Sequence, residues 1–177
     1  MTFEERLKRV ELLLLDVDGV LTDGRIRIDD NGVETKAFDV TDGHGIKMLM
    51  RAGVGVGFVT GRVSNVVLHR ARELGVTEVH QKAFSKVPVV RGIIERLNLT
   101  PHKVCYMGDD IVDVPVMLQV GAAVTVPGAP DYVRNAAHYV TARQGGAGAV
   151  RELCEAILIA RGLWEELTRK YFEPEPL

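Results

Sequence analysis

One stretch near the N-terminus constrains the fold most strongly. Four consecutive leucines, Leu12–Leu15, lead directly into Asp16-Val17-Asp18-Gly19. A short apolar run that ends at turn residues is typical of a buried strand in a parallel sheet. Ligands of open α/β sheets bind beyond the carboxyl ends of the strands, which is where Asp16 and Asp18 lie. Because two carboxylates at the end of a buried strand need a partner for their charge, the stretch predicts a metal ion there.

Segments typical of strands and helices alternate along the rest of the chain. Apolar runs begin near residues 54, 77, 103 and 121, and segments with helical spacing of apolar residues separate them. This alternation predicts an α/β fold with a doubly wound parallel sheet of the Rossmann-like type. The length of 177 residues fits a single domain with a core of useful size. From residue 162 to 177 the pattern is mixed, and we predict only a C-terminal tail.

Residues 25–38 interrupt the alternation of strands and helices. Two segments of alternating apolar and polar residues flank Asn31-Gly32, which is typical of a β-hairpin turn. We therefore predict a hairpin flap, and because an isolated hairpin is only marginally stable, we expect another surface to cover it. The segments that lead from this hairpin to Thr60 and from Arg62 to Lys86 each have room for one helix and one strand, so we predict no cap domain.

Composition narrows the possible partners and the compartment. The net charge is −2 and there is no basic run, which argues against nucleic acid as a partner. No apolar run approaches the ~20 residues needed to cross a bilayer, and the charged N-terminus does not resemble a signal peptide. Cys105 and Cys154 lie in apolar surroundings and indicate a reducing compartment. We expect a cytoplasmic protein with no membrane partner.

Polar residues follow four of the predicted strands. In chain order they are Asp16, Asp18, Thr60, Gly61, Arg62, Lys86, Asp109, Asp110 and Asp113. Because the carboxyl ends of parallel strands lie along one edge of a sheet, we expect these residues to converge on one crevice.

The converging carboxylates suit a magnesium ion. Mg²⁺ binds through one or two carboxylates together with phosphate oxygens of a substrate. Asp16 and Asp109 are candidates for the carboxylate ligands, and the main-chain carbonyl of Asp18 is a candidate for a third ligand.

The remaining residues suit a phosphoryl group. Lys86 can neutralise a phosphoryl oxygen as a compact point charge. The hydroxyl of Thr60 and the N–H of Gly61 can donate to other oxygens, and a glycine lets the main chain approach closely. Since phosphoryl transfer depends mainly on positioning and charge stabilisation, the set predicts a phosphate monoester as substrate.

These motifs resemble those of phosphatases of the haloacid dehalogenase superfamily. The resemblance rests on Asp-Val-Asp-Gly-Val at 16–20, Val-Thr-Gly-Arg at 59–62, Lys86, and Gly-Asp-Asp-Ile-Val-Asp at 108–113. It implies that Asp16 is the nucleophile and forms an aspartyl-phosphate. It also implies that Asp18 protonates the leaving alcohol and then activates water.

The same resemblance assigns roles to the other residues. It implies that Thr60 and Lys86 are catalytic with the two aspartates, and that Asp16, Asp18 and Asp109 hold Mg²⁺. It further implies that Gly61, Arg62 and Lys86 bind the substrate. Asp110 and Asp113 are then supporting residues behind the site.

Through the segments 16–24, 36–46 and 145–152 and the hairpin between the first two, the chain over residues 10–162 more narrowly resembles the 3-deoxy-D-manno-octulosonate 8-phosphate phosphatase family. This resemblance implies hydrolysis of a sugar-acid phosphate on the route to lipopolysaccharide, and a homotetramer. Relatives that act on nonulosonate 9-phosphates tend to carry Glu at the position of Arg62, and a cation there suits the carboxylate of an acidic sugar. A nonulosonate 9-phosphate phosphatase and a non-catalytic phospho-acceptor or binding module are the alternatives.

Two features bear on how the site is covered. Because no cap domain is predicted, we expect neighbouring subunits to exclude water, through hairpins packed around an oligomer axis and through the C-terminal tail. Gly145-Gly146 is either a loop before a helix or a segment that covers the substrate.

The segment Lys82-Ala83-Phe84-Ser85-Lys86 departs from the Gly-Gln-Ser-Asn-Lys that is usual in the family.

Overall fold

The chain forms a six-stranded sheet in which every neighbouring pair of strands is parallel. A computed structural model describes residues 1–173. The strands, in chain order, are β1 (Leu12–Leu15), β2 (Arg27–Ile28), β3 (Glu34–Thr35), β4 (Gly55–Val59), β5 (Glu78–His80), β6 (Val104–Met107), β7 (Ala122–Thr125) and β8 (Tyr139–Val140). Their order across the sheet is β5-β4-β1-β6-β7-β8, with β2 and β3 outside it.

Strand β1 lies at the centre, and all four of its leucines are buried. Leu12 pairs with Gly55 of β4 on one side and with Val104 of β6 on the other. The chain runs from β1 outwards to β4 and β5 and then returns to β6, so the strand order reverses between β1 and β6. Such a reversal is where ligands bind in open α/β sheets.

Helices cover both faces of the sheet. They are α1 (Phe3–Leu7), α2 (Val40–Arg51), α3 (Asn65–Leu74), α4 (Lys86–Arg96), α5 (Val114–Met117), α6 (Asp131–Arg134), α7 (Ala149–Ala160) and α8 (Trp164–Phe172), with a 3₁₀ turn at Pro101–Lys103. Helix α7 packs against α1, α2 and α8, whereas α4 packs against α5. Because parallel crossovers are right-handed, the reversal of strand order puts these two groups on opposite faces. The doubly wound α/β prediction is confirmed.

The hairpin is antiparallel and shorter than predicted. Arg27 pairs with Thr35 and Ile28 with Glu34. The turn is closed by Asp29, whose carboxylate accepts hydrogen bonds from the main-chain N–H groups of Asn31 and Val33. A single helix, α2, follows before β4, in agreement with the prediction that no cap domain lies in this segment.

The C-terminal tail differs from the prediction. The mixed pattern of residues 162–177 predicted only a tail, but Trp164–Phe172 forms α8. This helix packs against α7, and its amphipathic character comes from Trp164, Leu167 and Thr168 on the packed side. Residues 174–177 lie outside the described part of the chain. Within residues 1–173, no helix has both the length and the apolar character that a membrane span requires.

Candidate functional site

The predicted polar residues meet beside the point where the strand order reverses. A cavity of about 360 Å³ opens there. It is lined by Asp16, Asp18, Gly24, Thr60, Gly61, Arg62, Ala83, Phe84, Lys86, Asp109, Asp110 and Val112. Eight of the nine predicted site residues are in this set, and the ninth, Asp113, is fully buried behind it.

Asp16 directly follows β1, where its main-chain N–H donates to the carbonyl of Met107 and so holds it against the end of β6. Its Oδ2 lies 2.9 Å from Nζ of Lys86, and its Oδ1 accepts from the N–H of Val17 at 2.7 Å. Burial raises the pKa of Asp16 to about 6, although Lys86 opposes the shift and Asp113 adds to it. A carboxylate in this position therefore needs more positive charge than Lys86 supplies.

Asp113 organises the polar groups behind the cavity. Its Oδ1 accepts from Nζ of Lys86 and from the hydroxyl of Tyr106, both at 2.6 Å. Its Oδ2 accepts from the main-chain N–H groups of Asp109 and Asp110 at 3.0 and 3.1 Å. Since a carboxylate offers about four acceptor positions, Asp113 has none left for a metal ion.

Lys86 is buried between two carboxylates. Burial alone lowers the pKa of this ammonium group, but Asp16 and Asp113 outweigh that effect, so the net direction is upwards. The group is therefore a fixed cation at the floor of the cavity. Lys86 is the first residue of α4.

Asp109 is the second candidate metal ligand. Burial raises its pKa to about 7, and the neighbouring charges of Asp16 and Asp113 add to the shift. Its Oδ2 occupies the space that a β-carbon on Gly19 would need, and Gly19 has a left-handed φ of 88°. A glycine at this position therefore lets the Asp109 carboxylate approach the loop after β1.

The carboxylates of this site fit a divalent cation. Oxygen atoms of Asp16, Asp109 and Asp113 lie within 4.8 Å of one another. Because Asp113 is occupied by four donors, Asp16 and Asp109 are the two that can ligate an ion. Burial, together with neighbouring carboxylate charges, raises the pKa of both carboxyls, and one or two carboxylates are the usual protein contribution to a magnesium site.

Asp18 lies on the hairpin side of the cavity, in contact with two cations. Nζ of Lys36 contacts its Oδ1, and Nε of Arg62 lies 3.8 Å from its Oδ2. Both cations also contact Oε1 of Glu34, at 3.4 Å from Lys36 and 2.9 Å from Arg62. These four side chains connect the hairpin to the loop after β4.

The loops after β4 and β5 form the opposite wall. Thr60 is buried, and its Oγ1 accepts from the N–H of Arg62 at 3.3 Å. Its carbonyl accepts from the N–H of Ala83 at 3.0 Å, which ties the two loops together. Next to them, Phe84 is 81% exposed at the rim of the cavity. An apolar side chain of this size thus stands where a bound molecule would enter.

Gly145-Gly146 packs against the loop after β1. The N–H of Gly146 donates to the carbonyl of Val20 at 3.0 Å, and a β-carbon on Gly145 would overlap the carbonyl oxygen of Gly19. Of the two interpretations left open above, the contacts favour a supporting loop, because the segment touches the main chain behind Asp18 and does not line the cavity.

Three residues of this site were not predicted from the sequence. They are Glu34 and Lys36 of the hairpin and Tyr106 of β6. The signal for the first two was the alternation of side chains along a strand, which places residues two apart on one face. For Tyr106 it was a lone hydroxyl in the apolar run Val104–Met107, since a buried tyrosine hydroxyl usually has a hydrogen-bond partner.

Comparisons with known proteins agree with this geometry. Residues 71–153 match the family model described as haloacid dehalogenase-like hydrolase. The 3-deoxy-D-manno-octulosonate 8-phosphate phosphatase KdsC of Escherichia coli K12 is 42% identical over 161 residues, which is 91% of this chain and 86% of that protein.

Solved structures of similar proteins share the fold. The phosphatase of the same name from Yersinia pestis has a TM-score of 0.91 and 41% identity, with 92% of this chain and 88% of that one covered. That from Moraxella catarrhalis has a TM-score of 0.94 and 35% identity, with 96% and 97% covered, and was solved with a magnesium ion, a phosphate ion and KDO.

Proposed function

We propose that this chain, which belongs to the haloacid dehalogenase-like hydrolases, is a magnesium-dependent phosphatase of sugar-acid phosphates. The substrate we favour is 3-deoxy-D-manno-octulosonate 8-phosphate, which would yield 3-deoxy-D-manno-octulosonate, a lipopolysaccharide precursor, and phosphate. One observation carries the proposal: Asp16, Lys86 and Asp109 surround a single cavity at the end of β1 in a chain that is 42% identical to an enzyme of that name.

Asp16, Asp109 and the main-chain carbonyl of Asp18 would hold Mg²⁺. The raised pKa values of the two carboxyls support this assignment, because a cation between them would relieve the excess negative charge. When bound, Mg²⁺ supplies charge neutralisation for the phosphoryl oxygens.

Asp16 would act as the nucleophile. One of its carboxylate oxygens forms a bond to phosphorus as the bond from phosphorus to the sugar oxygen breaks, which gives an aspartyl-phosphate. Asp18 donates its proton to the departing sugar oxygen. Asp18 then accepts a proton from the water molecule that attacks phosphorus, and inorganic phosphate leaves while the Asp16 carboxylate is restored.

The other residues of the cavity would bind the two ends of the substrate. Lys86, the hydroxyl of Thr60 and the N–H of Gly61 are placed to hold phosphoryl oxygens. Arg62 is 43% exposed at the edge of the cavity, so its guanidinium can pair with the carboxylate of an acidic sugar. Asp110 and Asp113 would support the loop and Lys86 from behind.

Replacement of the nucleophile tests the proposed reaction. Asp16→Asn should abolish phosphate release from octulosonate 8-phosphate with Mg²⁺ while the far-ultraviolet circular dichroism stays that of the native protein. Asp30→Asn, in the exposed hairpin turn, is the matched control and should retain activity. Turnover that is unchanged in Asp16→Asn would refute the nucleophile assignment.

A substrate panel separates the proposal from its alternatives. Octulosonate 8-phosphate should have a higher kcat/KM than nonulosonate 9-phosphates, and the reverse order would identify a nonulosonate phosphatase. A phospho-acceptor would hold phosphate on Asp16 without turnover. Asp18 argues against that role, since a pure acceptor needs no second carboxylate at the cavity.

We further infer that the protein is a cytoplasmic homotetramer. Ile26, Ile28 and Val33 are large apolar residues that are exposed on the hairpin, and contact with another subunit would bury them. A neighbouring hairpin there would also help to exclude water from the cavity. The free, buried thiols of Cys105 and Cys154 suit a reducing compartment.

A further inference from the structure

The hairpin contributes a buried cation to the cavity. Lys36 follows β3, a strand that is otherwise largely exposed, yet its side chain is only 1% exposed. Its ammonium group contacts Oδ1 of Asp18 and lies 3.4 Å from Oε1 of Glu34. Because a lysine is seldom buried without partners, these two carboxylates account for its position.

The two cations around Asp18 differ in exposure and in their distance from its carboxylate. The Lys36 side chain is buried, and its ammonium contacts Oδ1 of Asp18. The Arg62 side chain is 43% exposed, and its Nε lies 3.8 Å from Oδ2 of Asp18, beyond hydrogen-bond distance. Arg62 therefore makes no hydrogen bond to Asp18, and its guanidinium donates to Glu34 at 2.9 Å instead. Lys36 is the cation in direct contact with the Asp18 carboxylate.

We propose that Lys36 is a positioning residue that fixes which oxygen of Asp18 faces the leaving group. The inference rests on the proposed phosphatase function. An ammonium group has three donors and no acceptor, so Lys36 can only donate to Oδ1, and Oδ2 is the oxygen left to serve the ester oxygen. As the bond from phosphorus to the ester oxygen breaks and the bond to Asp16 forms, the proton that the proposed reaction assigns to Asp18 passes from Oδ2 to the ester oxygen.

The dependence on leaving group distinguishes positioning from a structural role. An alkoxide needs a proton as it leaves, whereas a nitrophenolate leaves without one. Lys36→Met should therefore lower kcat/KM about 10²-fold for an alkyl phosphate and less than about threefold for p-nitrophenyl phosphate. The ratio kcat/KM is the correct measure, because it reports only the steps up to release of the leaving group.

A series of substituted phenyl phosphates makes the test quantitative. The slope of log kcat/KM against the pKa of the leaving phenol should be steeper in Lys36→Met than in the wild type, since the variant lacks an oriented acid. Lys103→Met is the matched control, because Lys103 forms a 2.6 Å ion pair with Glu11 before β6, at the far end of the sheet. It should leave the slope unchanged.

The outcomes separate the two proposals. A wild-type protein that hydrolyses none of these esters would refute the phosphatase function itself. A wild-type enzyme that is active, with an equal slope in Lys36→Met, would refute the role of Lys36 alone. Should Lys36→Met fail to fold, Lys36→Gln retains a shorter donor at the same position and is expected to give a slope between those of the wild type and a variant without a donor. A wild-type slope in Lys36→Gln would likewise refute the positioning role of Lys36.

Discussion

Nζ of Lys86 donates a 2.6 Å hydrogen bond to Oδ1 of Asp113, a carboxylate with no exposed surface. The bond joins the start of α4 to the residue that precedes α5, across 27 positions of sequence. Asp113 thereby holds the cation of the cavity and, through its other oxygen, the main chain of the Asp109 loop. Asp113 therefore fixes the position of Lys86 relative to the Asp109 loop.

Removal of this carboxylate should destabilise the protein strongly. Asp113→Ala leaves the buried ammonium of Lys86 with Asp16 as its one carboxylate partner among residues 1–173, and breaking a buried ion pair costs about 3–5 kcal/mol. The free energy of unfolding in urea measures the effect. Tyr106→Phe is the matched control, since it removes one hydrogen bond to the same oxygen, worth about 1–2 kcal/mol. Equal losses in the two variants would contradict the central position of Asp113.

Asp109 should make the metal-free protein less stable as pH rises. The pKa of this carboxyl is about 7 in the folded protein and about 3.9 in an unfolded chain. Between these two values the folded state binds more protons than the unfolded state, so the free energy of unfolding falls as pH increases and levels off above the folded pKa. Urea unfolding with EDTA present should show this decline from about pH 4 to pH 7.

Asp109→Asn should remove the contribution of Asp109 to that decline, whereas Asp16 and Asp42, whose pKa values burial raises to about 6, continue to contribute. At pH 8 the metal-free variant should be more stable than the wild type by on the order of 2–4 kcal/mol, and it should no longer gain stability when Mg²⁺ is added. Asp110→Asn, next to it on the exposed side of the loop, is the control and should leave the pH dependence in place. A variant Asp109→Asn that is no more stable than wild type at pH 8 would argue against an uncompensated charge.

Arg62 should determine the preference for an acidic sugar. Arg62→Met removes the guanidinium that we place on the substrate carboxylate, and the loss of one charge-assisted hydrogen bond, about 1.5–3 kcal/mol, corresponds to about 10- to 100-fold. We expect that loss in kcat/KM for octulosonate 8-phosphate, mainly through KM. Activity on p-nitrophenyl phosphate, which has no carboxylate, should stay within about threefold of wild type. A parallel loss on both substrates would place Arg62 in the chemistry and not in recognition.

The exposed isoleucines of the hairpin should determine the assembly. Ile28→Asp places a charge on the face that we expect another subunit to cover, and burial of an unpaired charge is strongly unfavourable. Sedimentation velocity at micromolar concentration should show a tetramer for the wild type and smaller species for the variant. Ile159→Asp introduces the same charge at an exposed position of α7 and serves as the control. A monomeric wild type with full activity would refute both the tetramer and the covering of the cavity by neighbours.

Much of the local structure could be predicted because it depends on residues close in sequence. Helix α3, one of the helices expected between two apolar runs, occupies Asn65–Leu74 and ends where Gly75 adopts a left-handed φ of 82°. Helix α8 was not predicted, because its apolar residues are explained by their packing against α7, a contact that the local sequence does not reveal. Helix α5 is only four residues long, Val114–Met117, and in the loop before it the main-chain N–H groups of Asp109 and Asp110 donate to the Asp113 carboxylate.

The sequence by itself determined which residues stand at the ends of the strands, and therefore that Asp16 and Asp109 would meet beside β1. Local hydrophobic pattern suffices for that, since it sets the strands and the parallel fold then aligns their ends. Only the tertiary structure decided how the charges are paired. Lys36 reaches Asp18 and Asp113 holds Lys86 across 18 and 27 positions of sequence. Those pairings depend on burial, because a charge removed from water must find a partner in space, and no local pattern specifies which partner that will be.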